Sequence, residues 1–147
     1  MENTADRQRS RRRHQWLAFC AACALLACSG TTEPPAPCGG DIAVLVATQS
    51  VPRFSWAPDC GVSLLAVSTV PTAAGDHGRT VWGFTVSERT PLGPSVTYGV
   101  NPPGATVWSA PEPLQIGQAY RVYVAYTVGG DVLVASGEAT FSWFPPD

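Results

Sequence analysis

Apolar and polar residues alternate with a period of two along most of the chain after residue 40, a pattern typical of half-buried β-strands. The clearest segment is 119–128, and 52–56 and 80–86 also alternate. Further strand candidates are the apolar runs 42–47 and 62–68 and the short segments 95–98, 105–108, 132–134 and 139–143. All 14 glycines and all 14 prolines follow Cys28 and separate these segments. The pattern predicts an all-β, immunoglobulin-like sandwich of about seven or eight antiparallel strands. A Ser136-Gly137 pair near the last strand suggests a β-bulge.

The segments 42–47 and 52–56 predict a hairpin centred near Gln49. Its predicted register pairs Ile42 with Trp56, Val44 with Phe54 and Cys38 with Cys60, all on one face. Two cysteines in an exported domain most often form a disulfide, so we expect a Cys38–Cys60 bond. A zinc site needs three or four ligands, so we expect no bound metal.

The first 27 residues differ from the rest and predict a signal peptide. Five arginines lie within residues 7–13, followed by 13 uncharged, mostly apolar residues from Trp16 to Cys28. A membrane-spanning helix needs about 20 apolar residues, so this segment is too short to span a bilayer. A twin-arginine export signal is the alternative for Arg11-Arg12, but His14-Gln15 follow where apolar residues should stand.

The end of this segment, Leu25-Leu26-Ala27-Cys28, resembles the lipobox of bacterial lipoprotein precursors. The resemblance implies cleavage before Cys28, diacylglycerol on its sulfur and anchoring in a membrane. An ordinary secretory signal with a chance cysteine is the alternative. Residues 28–37, which include Pro34-Pro35-Ala36-Pro37, are expected to form a lipidated, stiff tether.

Residues 38–147 are predicted to form the sandwich, and two motifs within them resemble fibronectin type III domains. Phe54-Ser55-Trp56-Ala57-Pro58 is similar to the family's early strand with a core tryptophan. The segment 114–124 is similar to its tyrosine corner, with Leu114 six residues and Gly117 three residues before Tyr120. The resemblance implies that the Tyr120 hydroxyl bonds back to the backbone near the preceding turn.

Composition and motifs argue against catalysis and nucleic-acid binding. The formal net charge is −2 and lysine is absent, so a general basic surface for nucleic acid is excluded. Asp76-His77 and Glu88-Arg89 are interpreted as solvated loop residues, because no nucleophile or metal-binding motif accompanies them. We therefore expect a protein that is not an enzyme and needs no cofactor. A hydrolase would require an acidic pair and the histidine to converge in one pocket.

Two functions remain open at this point. The favoured one is a lipid-anchored cell-envelope module for protein–protein interaction or adhesion, in the outer membrane because Ser29 and not aspartate follows the anchor. The alternative is a carbohydrate-binding module that uses exposed aromatic side chains. Trp108 has the weakest periodic context of the tryptophans, and Tyr123 lies on the outward face of its strand. These two residues are therefore the candidate ligand-facing aromatics. The partners we expect are the membrane and an envelope protein or polysaccharide.

Overall fold

The computed structural model describes residues 33–71 and 78–145, and within them every regular element is a β-strand. There are nine strands in the described part: β1 (Gly40–Asp41), β2 (Ala43–Thr48), β3 (Pro52–Ala57), β4 (Leu64–Thr69), β5 (Thr80–Thr85), β6 (Val96–Thr97), β7 (Thr106–Ser109), β8 (Ala119–Val128) and β9 (Val132–Ser142). The prediction of an all-β fold is confirmed. The strands at 132–134 and 139–143, predicted separately, are one continuous strand.

The strands form two sheets that enclose the apolar core. One sheet has six strands in the order β1-β9-β8-β4-β5-β7, and the other has three in the order β2-β3-β6. This is the arrangement of a sandwich, and the described residues from Pro34 onward belong to one compact unit. The strands β2 to β9 pair antiparallel, as predicted, and the short additional strand β1 runs parallel to β9.

The core is built from the inward faces that the period-two pattern predicts. Tyr120 stacks on Phe141 with ring centroids 5.6 Å apart, and the tilted ring of Phe54 packs against Phe141 at 5.7 Å. Trp82 and Phe84 fill the neighbouring part of the same core, and both are almost fully buried. Apolar burial of this kind is the main force that holds the two sheets together.

The predicted register of the first hairpin is wrong by two residues. Val44 lies opposite Trp56 and Val46 lies opposite Phe54, so the hairpin centres on Ser50. The reason is that Ile42 does not belong to this hairpin, since its N–H bonds to the Ser136 carbonyl of the other sheet. A slip of two residues keeps every side chain on its predicted face, which is why the core is unaffected.

The predicted bulge at Ser136-Gly137 is also wrong in position. The register of β8 and β9 shifts between Tyr126 and Thr127, which leaves Val134 as the extra residue. Gly137 serves a different purpose, because a Cβ there would collide with the Ile42 carbonyl oxygen. The glycine allows the entering chain to approach β9 closely.

The described part of the expected tether packs on the sandwich. The Ala36 carbonyl accepts a hydrogen bond from the Gly61 N–H at 2.6 Å, and the Cys38 N–H donates to the Gly61 carbonyl at 2.9 Å. A Cβ on Gly61 would meet the Pro91 ring at 2.6 Å, so this junction is tightly packed. The segment from Pro35 to Cys38 therefore packs on the domain.

Candidate functional site

The residue predicted to carry a lipid, Cys28, lies outside the described residues, as does the predicted signal peptide. The loop residues Asp76-His77 also lie outside them. Among the described residues, no group of histidine, cysteine and acidic side chains is arranged to hold a metal ion. The same part of the chain has no helix long and apolar enough to cross a membrane.

Cys38 and Cys60 form a disulfide at one end of the core. Their Cα atoms are 4.8 Å apart and both side chains are buried. The Trp56 indole N–H donates to the Cys60 carbonyl at 2.8 Å, which fixes the strand end next to the bond. The two cysteines pair although the hairpin register differs from the predicted one. The Cys38 N–H bonds to the Gly61 carbonyl, and this contact, rather than the pairing of β2 with β3, brings Cys38 next to Cys60.

Tyr120 occupies a structural position inside the sandwich. It is 2% exposed, and its hydroxyl accepts a hydrogen bond from the Gln115 N–H at 2.8 Å. Leu114 packs against the core, and Gly117 has a φ of 76°, a left-handed conformation that favours glycine. These contacts have the geometry of a tyrosine corner, which ties the turn to the strand that follows it.

Trp108 and Tyr123 lie on the outer face of the six-stranded sheet, in one row across it. Gly83 pairs with Ala66, and Ala66 pairs with Tyr123. Trp108 is 51% exposed, and its ring lies so close over Gly83 that a Cβ there would collide with ring carbons. Two strand spacings separate the ring from the Tyr123 backbone, about 10 Å. The two small residues Gly83 and Ala66 therefore separate the two aromatic side chains on this face of the sheet.

Polar groups flank this aromatic row, which we define as Trp108, Gly83, Ala66 and Tyr123. On one side of it Arg121 forms an ion pair with Glu138 at 3.8 Å, and both side chains are substantially exposed. On the same side Ser68 and Thr80 share a hydroxyl–hydroxyl hydrogen bond of 3.3 Å. Aromatic faces beside hydrogen-bonding groups suit ligands that have both apolar and polar surfaces.

A cleft of about 500 Å³ lies on the other side of the row, beyond Leu64 and Thr85. Glu88 lines it and accepts a hydrogen bond from the Gly130 N–H at 3.0 Å, so the loop after β5 is tied to the β8–β9 turn. The Ser63 hydroxyl accepts a bond from the Thr127 N–H at 2.9 Å. Sequence reasoning treated Glu88 as solvated and missed the cleft, because its walls come from three separate parts of the chain.

The described residues contain one tyrosine whose ionisation is clearly perturbed. Burial raises the pKa of Tyr98 to about 12, although its hydroxyl donates to the Glu112 carbonyl at 2.7 Å. The Arg79 guanidinium pairs with the Glu112 carboxylate and lowers the pKa of that carboxyl. Both charged groups are at the surface, and the pair lies away from the cleft. We therefore interpret these groups as structural.

No protein-family model matches the chain, and no curated protein or solved structure matches it significantly. The proposals below therefore depend on the residues and on the geometry of the described part.

Proposed function

We propose that the chain is the precursor of a bacterial envelope lipoprotein, anchored through Cys28, whose fibronectin type III-like sandwich is a non-enzymatic binding module. The observation that supports the anchor best is the use of the cysteines. Of the three that follow the apolar core of the leader, Cys38 and Cys60 bond to each other inside the domain. Cys28 is therefore not needed for this disulfide, and it stands at the end of a lipobox-like sequence.

Mass spectrometry of the membrane-extracted protein tests the anchor. We expect a polypeptide that begins at Cys28 and exceeds its peptide mass by the acyl groups. Several acyl chains hold a protein stably at a bilayer, at about 0.8 kcal/mol per buried CH₂ group. Cys28→Ser should therefore release the protein from membranes. Unchanged membrane retention of Cys28→Ser would contradict the proposal, and fractionation of the envelope tests the expected outer-membrane location.

The module would bind an envelope protein or an extracellular partner through its loops and sheet faces. The supporting observation is that Glu88 ties the loop after β5 to the β8–β9 turn, so two connections at one end of the sandwich are held together. Crosslinking in the intact envelope, followed by purification of the lipoprotein, would identify the partner. Recovery of the protein without any crosslinked partner would contradict this part of the proposal.

Carbohydrate binding is the second candidate, and the aromatic row favours it. An exposed tryptophan ring fixed over a glycine offers a flat apolar surface for a sugar ring, while Arg121 and Glu138 can bond to hydroxyls nearby. Polysaccharide pull-down should lose its signal on Trp108→Ala. It should also weaken on Gly83→Ala, since the new methyl group would displace the ring.

Phe144→Ala is the matched control for that experiment. Phe144 is 60% exposed and lies near Gly117, away from the aromatic row. Its truncation removes a similarly exposed aromatic side chain without touching the row, so binding should be unchanged. Equal losses for Trp108→Ala and Phe144→Ala would contradict a specific sugar site.

A further inference from the structure

The end of the β8–β9 hairpin is apolar and exposed. We define the hairpin tip as residues 128–134, and its four large apolar side chains are between 44% and 63% exposed: Val128, Val132, Leu133 and Val134. Exposed apolar side chains are common singly, but a cluster of four at the end of one hairpin marks a contact surface.

The strand residues of the tip are apolar on both faces, and the charged Asp131 lies in the turn between the two strands. Val128 pairs with Val132, and the preceding pair joins Thr127 to Leu133, so Leu133 points to the opposite face from Val132. A hairpin that lies on a protein core has one apolar and one polar face. Apolar groups on both faces suit an environment that surrounds the tip. A lipid bilayer surface provides such an environment, whereas a flat protein surface covers one face.

The chain enters the domain at the same end as the tip. Because β1 runs parallel to β9 and Gly40 lies opposite Ala135, the residues before Gly40 are level with the tip. Contacts between Cys38 and Gly61 hold the entering segment there. The Glu88–Gly130 bond also places the loop after β5 at this end.

Only five residues separate Cys28 from Pro34, where packing on the domain begins. A fully extended chain spans about 3.3–3.6 Å per residue, so this spacer reaches about 20 Å at most. An acylated Cys28 would therefore keep the tip end of the sandwich within that distance of the bilayer. The opposite end of β8 lies about 30 Å further away.

We propose that the hairpin tip is a second membrane contact, which docks on the zwitterionic phospholipid surface next to the lipid anchor. This inference depends on the proposed anchoring through Cys28. The surface is zwitterionic because the charged side chains near the tip end are mostly acidic and would be repelled by an anionic leaflet: Asp41, Asp59, Glu88 and Asp131, against Arg89. The anchor holds the tip close to the bilayer, which raises the effective concentration of lipid at the tip. With two contacts, the anchor and the tip, the orientation of the sandwich on the membrane is fixed.

Site-specific fluorescence on the lipidated, full mature chain tests the proposal. An environment-sensitive thiol probe is attached to Leu133→Cys in vesicles of phosphatidylcholine and phosphatidylethanolamine. The native cysteines do not react, since Cys38 and Cys60 are bonded and buried and Cys28 carries the lipid. The matched control is Ile116→Cys, which is 72% exposed in the turn before β8, at the far end of the sandwich.

We expect the probe at position 133 to shift to the blue, to brighten several-fold and to be quenched by lipid-borne quenchers. The probe at position 116 should emit as it does in water. Addition of phosphatidylglycerol should weaken the signal at 133, and a stronger signal would overturn the zwitterionic surface.

Emission as in water at both positions, from protein whose mass confirms lipid on Cys28, would overturn the inference and leave the anchor intact. A mass without lipid would instead refute the proposed function. Shielding of position 133 in native envelopes but not in pure lipid vesicles would show that a protein covers the tip, and would also overturn the inference.

Discussion

Replacement of Tyr120 by phenylalanine isolates one hydrogen bond of the sandwich. The ring is 2% exposed and stacks on Phe141, so Tyr120→Phe retains the packing. The substitution removes only the oxygen that accepts the Gln115 N–H at 2.8 Å. The change in the free energy of unfolding should therefore report that bond alone.

The size of the stability loss depends on the Gln115 N–H, which loses its hydrogen-bond acceptor. A hydrogen bond of this kind contributes about 0.5–1.5 kcal/mol net, and a donor left fully buried costs about 1–3 kcal/mol. Gln115 is at the surface, so its N–H can recover part of its hydration. We therefore expect a loss of about 1 kcal/mol, which lowers the Tm of a domain of this size by about 4 °C.

Urea unfolding of the full chain with its disulfide intact measures this loss, and Tyr123→Phe is the control. The Tyr123 hydroxyl makes no hydrogen bond to another described residue, and the side chain is half-buried on the outer face. Its substitution should change the stability by less than about 0.5 kcal/mol. Equal losses at the two positions would refute the assignment of faces along β8. No loss at Tyr120 would refute the structural role of the corner.

Three further predictions concern packing, the disulfide and pH. Gly137→Ala should destabilise the domain by about 1–3 kcal/mol in thermal unfolding, since the new methyl group collides with the Ile42 carbonyl, and unchanged stability would contradict that contact. Reduction of the Cys38–Cys60 bond should cost about 3 kcal/mol in urea unfolding, because the bond closes a loop with a sequence separation of 22, and a negligible cost would contradict the entropic argument. Because the pKa of Tyr98 is raised to about 12 in the folded chain, its contribution to stability is complete below pH 10 and is lost as the pH rises toward 12. Tyr98→Phe should therefore reduce the alkaline loss of stability between pH 10 and 12, and an unchanged profile would contradict this reasoning.

The sequence by itself determined the class of fold and the face on which most side chains lie. Alternation along 119–128 predicted that Tyr120 points inward and Tyr123 outward. In the structure Tyr120 is buried and Tyr123 is half-buried on the outer face. This works because the side-chain direction in a strand depends on the local backbone alone, with a period of two. The predicted faces of the first hairpin are also correct although its register is wrong, since a shift of two residues leaves each side chain on the same face of the sheet.

Tertiary structure decided which residues are neighbours. Ala66 lies between Gly83 and Tyr123, which are far apart in the chain, and no local pattern specifies that order of strands. The exposure of the hairpin tip likewise depends on the start of β4 at Leu64, opposite Ala125, which leaves the end of the β8–β9 hairpin without a neighbouring strand on that side; the sequence indicated only a strand at 132–134. A local pattern carries the direction of a side chain, whereas its neighbours depend on pairing between distant segments, which is decided only when the two sheets pack.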